Sequence, residues 1–371
     1  MNTKERNQLK YETFLLKPTL KNYTFQPIRV CLYLTRACNL SCPNCTYSGN
    51  EYFRKASFLS VEQFNRVKEA TREYAVSYAM AGGEPLLNKH VLEFAELVRD
   101  VPGATTTINS NGLLLDKYLD RICESNVSRM QFSFDAMDDT GYQRERHGKP
   151  GDFDKLCRNV RELLRLRGTL PHPYVAVSFL LHQGNFHEIE DMIAFGEELG
   201  VDQVGFHNVN NHMDNTMLPL RRNDREVCAL LDKVMAKSYN LESVFLPPLV
   251  DDGFSLCLMP FKDIYINDQL EVNPCCHVMD FSYSEFSGDL TESWRSPKLD
   301  SFRKAFIDGK LPHANCRNCQ RRFLPYGIFS RERGWVRDDW KTRVARRIIK
   351  RSPAVYRLAK TVQRKLYHAL R

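Results

Sequence analysis

Arg29-Val-Cys-Leu-Tyr-Leu-Thr-Arg-Ala-Cys38-Asn-Leu-Ser-Cys42-Pro-Asn-Cys45 runs a β-rich stretch straight into three cysteines at CxxxCxxC spacing. One tight loop after one strand therefore offers three thiols. A cubane [4Fe–4S] cluster usually takes four thiolates, so three from a single loop leave one iron open for an outside ligand. From this motif alone the alternatives are a zinc site completed by a fourth residue, or a grouping of reduced cysteines.

Working outward, residues 30–209 alternate short β-rich runs with longer stretches of helical period, the pattern of repeated βα units on a parallel sheet. Strands are expected at 29–34, 75–80, 104–109, 130–135, 174–180 and 203–207. The best marked helices are 60–72, with Ser60 as N-cap, 152–167, and 185–199, closed by Gly200. Six units are too few to close an eight-stranded barrel, so the fold class is α/β, a partial, open (β/α)6 TIM barrel with its working face at the C-terminal strand ends. From 247 onward the alternation stops and cysteines return, and 263–267 with 270–272 reads as a small β-hairpin in a cysteine-rich α+β region. The expected organisation is an N-terminal extension (1–27), a barrel (28–240), a metal-stapled region (241–330) and a basic tail (331–371), with a linker at 240–253.

Three further segments fall just after expected strands. They are Gly82-Gly83-Glu84-Pro85, Asn109-Ser110-Asn111-Gly112 and Ser133-Phe134-Asp135. Together with CxxxCxxC they resemble the radical S-adenosylmethionine (SAM) superfamily over roughly residues 28–210. The resemblance implies that Cys38, Cys42 and Cys45 hold the catalytic cluster. It implies that Gly82, Gly83, Glu84 and Pro85 hold the methionyl amino group, the glycines letting the backbone come close. Ser110 and Asn111 would form the polar loop, Ser133 and Asp135 the ribose and carboxylate contacts, and Arg146 a charge-assisted pair with the methionyl carboxylate. The family generally has an aromatic before the third cysteine; Asn44 stands there, with Tyr47 as the substitute, and the fifth and sixth strands offer Ser178 and Phe206 toward the adenine.

Later come Cys257, the pair Cys275-Cys276 followed by His277, and Cys316-Arg-Asn-Cys319. A CxxC pair plus two distant single ligands around a hairpin reaches the tetrahedral vertices of zinc or of a cubane, and spacing does not separate the two. With the first motif, the arrangement resembles the twitch and SPASM auxiliary-cluster domains. That resemblance implies one auxiliary [4Fe–4S] cluster on Cys257, Cys275, Cys316 and Cys319, with Cys276 competing for Cys275 and the hairpin's usual glycine replaced near Leu270. Cys31, Cys123, Cys157 and Cys228 lie beside apolar neighbours and read as small core residues.

Composition limits the wider role. The tail 331–371 carries +11 and the preceding 330 residues −3, so the overall +8 belongs to the tail alone. Its apolar residues Val355, Leu358, Val362, Leu366 and Leu370 follow helical spacing between basic ones. Such a helix either docks on its own protein or lies on an anionic membrane surface. Few tryptophans and no stacked aromatic and basic alternation argue against a nucleic-acid partner. The opening residues show no apolar signal region, and the expected location is cytoplasmic, where twelve cysteines are more readily metal ligands than disulfides.

The resemblance implies reductive cleavage of SAM to a 5′-deoxyadenosyl radical, fed by a flavodoxin- or ferredoxin-type electron donor, and hydrogen abstraction from a substrate carbon between the clusters. If the auxiliary cluster accepts an electron, the outcome is dehydrogenation of a small sugar- or cyclitol-like substrate, the leading expectation. A hydrogen donated by Cys276 gives epimerisation, and attack by a bound residue gives peptide crosslinking, although no recognisable peptide-binding segment precedes the barrel. His207 and His212 after the sixth strand are candidates for a base or a substrate contact. A non-catalytic metal protein is the reading from another class; it gives no reason for Gly82 to Pro85 between the two cysteine groups.

Overall fold

Six strands follow one another through the first part of the chain: β1 (Arg29–Tyr33), β2 (Ser77–Ala81), β3 (Thr105–Ser110), β4 (Arg129–Ser133), β5 (Tyr174–Leu181) and β6 (Gln203–Asn208). The computed structural model describes residues 2–45, 57–210, 217–278 and 282–337. Between the strands, the helix Val61–Thr71 is started by a capping box, Ser60 accepting from the Gln63 amide while Gln63 reaches back. The helix Asp152–Arg167 has the expected bounds, and Ile189–Leu199 ends on Gly200 at φ +80°, a left-handed C-cap.

The strands stand where they do because their two faces differ. Val30, Leu32, Tyr78, Met80, Ile108, Met130, Phe132, Val177 and Val204 point away from the lumen and are fully buried, joining Phe64, Phe94, Leu156, Val160 and Ile193 from the helices in one continuous core. Each such side chain contributes about 1.5–3 kcal/mol when removed from water. The alternate positions face the lumen and are smaller or polar: Cys31, Ala79, Gln131, Ser178, Gly205, His207.

Six more strands complete the sheet: β7 (Ser243–Phe245), β8 (Asp263–Ile266), β9 (Glu271–Asn273), β10 (Ser284–Glu285), β11 (Gly327–Ser330) and β12 (Gly334–Arg337). The order is β10-β9-β8-β1-β2-β3-β4-β5-β6-β7-β11-β12. β7 lies parallel to β6, and β8 parallel to β1 with Arg29 opposite Asp263. The parallel run is therefore longer than six strands, yet β7 turns to antiparallel β11 and β8 to antiparallel β9, so the barrel stays open. The expected linker 240–253 is corrected here: it contains β7, a strand too short, with prolines at 247 and 248 just beyond, to give a periodic signal.

The β8–β9 hairpin is present at the expected place, and Leu270 occupies a left-handed conformation at φ +64°. The Asn267 side chain accepts from the Gln269 and Glu271 amides, both at 2.9 Å, and holds the turn that a glycine would otherwise ease. The N-terminal helix Thr3–Leu16 and the segment after it close the barrel's edge from outside: Phe14 of the helix packs on Phe261 at 4.9 Å between ring centroids, and Tyr23 of the following segment on Trp294 at 6.1 Å. Among the described residues no helix is long and apolar enough to cross a membrane.

Candidate active site

The cysteine loop grows from the C-terminal end of β1 and is fixed by the segment after β2. Leu34 donates to the Ala81 carbonyl (2.9 Å), Gly83 to that of Thr35 and Glu84 to that of Ala37 (both 2.8 Å). A Cβ on Gly82, which sits at φ +122°, would lie 2.4 Å from the Thr35 oxygen, and one on Gly83 would lie 2.1 Å from the Ala37 oxygen. The glycines are thus required by the approach of this segment to the root of the cysteine loop.

Glu84 is buried, and its carboxylate joins two of the predicted segments. It accepts from the Ser110 hydroxyl (2.7 Å), the Asn111 amide (2.8 Å) and the Leu86 amide (3.0 Å), the last capping the short turn that begins at Pro85. Burial pushes the Glu84 carboxyl above the usual carboxylate range against those three bonds. Asn111 continues the chain of contacts, donating to the Asn39 side chain at 2.7 Å and lying 3.9 Å from the Cys38 sulfur.

On the other side of the loop Asp135, at φ +58°, accepts from the Leu180 amide (2.8 Å) and from Arg146 (2.9 Å). The Arg146 guanidinium also lies beside Cys42 and Cys45, and its Nε is buried with no hydrogen-bond partner. Burial pushes the Cys42 thiol up to about 12, opposed by Arg146 and reinforced by the neighbouring Cys45 and Cys38. A buried donor left over beside three gathered thiols fits an anionic ligand group at this place. Ser133 ends β4 opposite Ser178 of β5, at the same rim, while Phe206 belongs to the outer core, stacked on Phe179 at 5.9 Å. Tyr47 and His212 lie outside the described residues.

The second thiol set is assembled from three separated pieces of chain. Cys257, Cys275, Cys316 and Cys319 line one small cavity, closed by Val278, Phe302 and Phe306, and Cys276 is not part of its wall. Burial raises all four thiols, Cys316 to about 11 and Cys319 to about 12, with other members of the set among their neighbours. The Arg322 guanidinium knits the pieces by donating to the carbonyls of Gly253, Ser255, Cys316 and Arg317 at 2.8–3.3 Å. No three His, Cys, Asp or Glu among the described residues close tightly enough around a point to hold a single metal ion; here four thiols surround a space instead.

Cys276 faces the lumen, where Cys275 touches the same cluster from the cavity side. Cys276 packs with Cys31, Tyr33, Ala79 and Tyr265, so Cys31 is the small buried residue expected from its apolar neighbours, on the lumen side of β1. A strand covered on both faces reads as an unbroken apolar run, which hides the direction of a small side chain. Arg321 and His207 line a neighbouring cavity of about 760 Å³ that continues down the lumen past Ser178, Gly205 and Gln131. His207 is pushed down to about 3 by burial, with Arg321 and His277 adding to the effect, and so is neutral. His277 is held by Asn210 at 2.8 Å. Sequence reasoning missed Arg321, His277 and Asn210; the Arg-Arg pair directly after Cys319-Gln was the only trace of the first.

The class of protein follows from this fold and loop. The family model of the Radical SAM superfamily matches residues 32–196, from the middle of β1 into the helix before β6, and this stretch is a radical SAM domain. Curated relatives include a probable GTP 3′,8-cyclase of Sulfurisphaera tokodaii, 28% identical over 172 residues, 46% of this chain and 52% of the relative. They also include a PqqA peptide cyclase of Gluconobacter oxydans, 25% identical over 318 residues, 81% of this chain and 85% of the relative. The chain thus spans about half the length of the first and most of the second. Among solved structures, Streptococcus suis SuiB bound to precursor peptide SuiA shares the fold at a TM-score of 0.63 with 12% identity, covering 85% of this chain and 74% of that one. The protein anSMEcpe with bound AdoMet and a Cp18Cys peptide shares it at 0.58 with 14% identity, covering 90% and 99%.

Proposed function

We propose that this protein is a two-cluster radical SAM oxidoreductase acting on a substrate seated in the barrel lumen, with a peptide-borne side chain as the substrate class. The observation that carries the two-cluster reading is the cavity walled by Cys257, Cys275, Cys316 and Cys319, from which Cys276 is turned away. Those four would hold an auxiliary [4Fe–4S] cluster, and Cys38, Cys42 and Cys45 the catalytic one with SAM at its open side. When bound, the groups supply reductive SAM cleavage, hydrogen-atom abstraction from the substrate and an acceptor for the electron left behind, and a flavodoxin- or ferredoxin-type donor is their expected source of electrons.

The chain's own part is placement and exclusion of water. Arg146, oriented by Asp135, offers its free Nε to a carboxylate, and Asn111, oriented through Glu84, borders Cys38. The Gly82–Gly83 segment fixes the loop root, so the three thiols and their polar neighbours share one rigid frame. Residues 241–330 would act as the unit that carries the auxiliary cluster and closes the lumen, with Cys276 and His207 as the groups nearest the reacting carbon. The peptide reading is supported by the PqqA peptide cyclase match over most of both chains and by a lumen cavity large enough for one side chain. A sugar- or cyclitol-like polyol would call for many hydrogen-bonding partners, and apolar residues such as Leu246, Leu256, Leu258 and Leu324 make up much of the wall.

The test is anaerobic iron and sulfide content with EPR of the reduced protein, with and without SAM. About eight irons in wild type and about four in a Cys38, Cys42, Cys45 triple alanine variant are expected, with the SAM-induced spectral change lost in the variant. Zinc in place of iron, or spectra indifferent to SAM, would overturn the reading.

A further inference from the structure

The lumen cavity is electrostatically one-sided. Lys262, Arg321 and Arg322 line it, and among the described residues no Asp or Glu does. These cations are not equivalent. Arg322 spends its guanidinium on four backbone carbonyls. The other enclosed arginines are likewise engaged, Arg29 with Asp263 at 2.6 Å, Arg129 with Gln203 at 3.2 Å, Arg146 with Asp135, and Arg303 with carbonyls and Asp300. Arg321 alone among them has neither a carboxylate within ion-pair distance nor a hydrogen-bond acceptor among the described residues.

Arg321 is enclosed by protein, with Cys276, Tyr265, Cys319 and Arg29 as its electrostatic neighbours, yet its side chain presents open surface because it faces the cavity. It also lines the small cavity of the four thiols, so it stands on the wall between the two spaces. A guanidinium that faces a cavity without an acidic lining, unpaired and next to a second arginine, gains from a ligand that supplies the missing negative charge. Its planar fork matches a carboxylate or a phosphate.

We infer that Arg321 is the anchor of an anion subsite, and that the substrate is an amphipathic anion: a carboxylate or phosphate on Arg321, with an apolar portion along Leu246, Leu256, Leu258 and Leu324. This rests on the reading of the lumen as the substrate chamber. It explains why the cavity combines apolar walls with unbalanced positive charge, which a neutral polyol does not. A hydrocarbon portion gains from burial on the leucines, and the anion fixes which carbon is turned toward the cysteine loop.

The experiment uses full-length protein with reconstituted clusters and bound SAM, kept anaerobic, and titrates three probes by calorimetry: 4-phenylbutyrate, phenyl phosphate and the neutral 4-phenylbutyramide. Wild type is expected to bind at least one anion roughly tenfold or more tightly than the amide, as one charge-assisted pair allows. The stronger anion identifies the group as carboxylate or phosphate. Arg321→Gln is expected to remove the preference and leave amide binding in place, and Arg321→Lys to restore part of it. Because Arg321→Gln could disturb the adjacent Cys319, Gln131→Glu serves as a second route: it adds an acid to the far wall at constant size and is expected to weaken the anions alone. Equal binding of anions and amide by wild type, or a preference that survives Arg321→Gln, overturns the inference. Iron content and the SAM-dependent EPR signal, measured on the same samples, report separately on the two-cluster reading.

Discussion

The two thiol sets are built in opposite ways. Cys38, Cys42 and Cys45 lie within one loop, partly exposed, and the loop is positioned by backbone hydrogen bonds to the neighbouring strand end. Cys257, Cys316 and Cys319 are buried, Cys275 nearly so, and they meet only because three segments between 257 and 319 are folded together. A contiguous loop on a rigid strand end can keep its shape without ligands and leaves one side open for a second molecule. A set gathered from distant segments makes its ligands part of what closes the fold. One set is arranged for access and the other for enclosure.

The largest expected effect separates them directly. Removing Cys316 and Cys319 to alanine should cost about four irons and lower the melting temperature by roughly 10 °C or more, because metal binding at such a site is also folding free energy. The Cys38, Cys42, Cys45 triple alanine variant should also lose about four irons but shift the melting temperature by only about 2 °C. Calorimetry on both proteins measures this, and equal shifts would mean that the two sets contribute alike to the fold.

The sets are not independent, and the contact that couples them gives the next effect. Arg36, two residues before Cys38, forms a buried ion pair with Asp268 in the β8–β9 turn at 3.0 Å, and the Ser57 amide and hydroxyl donate to the same carboxylate. Asp268→Asn leaves a buried guanidinium without its counter-charge and should destabilise by about 3–5 kcal/mol, read from the denaturant midpoint at constant slope. A loss below about 1 kcal/mol would mean that water reaches the pair, as in surface ion pairs.

The same contrast explains what the sequence made legible. The six barrel strands and the first thiol loop could be read because their signals are local: alternation within a strand, CxxxCxxC within a turn, and Gly82 to Pro85 directly after β2. The second set is legible as a group of cysteines, while its partition between Cys275 and Cys276 is not, since both touch the lumen cluster, only Cys275 also reaches the small cavity, and nothing in one dimension says which of two adjacent thiols does so. β7 reads as linker because three residues carry no period. The direction of Cys31, buried as its neighbours suggest, and the place of Arg321 have no sequence signal for a shared reason: they follow from which way each faces across the lumen, a relation among β1, β8 and the segment after Cys319 that exists only in the folded sheet.

Access at the first loop is sharpened by Arg146. With Asp135 on one nitrogen and its Nε unpartnered, the guanidinium is prepared for a carboxylate, so Arg146→Gln should weaken SAM binding by roughly 10- to 100-fold, the range of a charge-assisted pair. Equilibrium dialysis with labelled SAM measures it, on protein whose iron content is first shown to match wild type. Unchanged affinity would mean that the leftover donor faces no ligand.

The smallest effect probes the enclosure side at a single backbone angle. Leu270 holds φ +64° in the β8–β9 turn while its side chain rests, half-buried, on the core. Leu270→Gly relieves a left-handed conformation worth about 1–2 kcal/mol and gives up a partly buried apolar contact of similar size, so the net change should stay within about 1 kcal/mol. Leu270→Ile keeps the apolar surface but places a branched Cβ at the same angle, and should cost about 1–2 kcal/mol more than the glycine variant. If urea denaturation ranks isoleucine above glycine, the turn does not hold that angle in solution, and the Asn267 side chain is not what supports it.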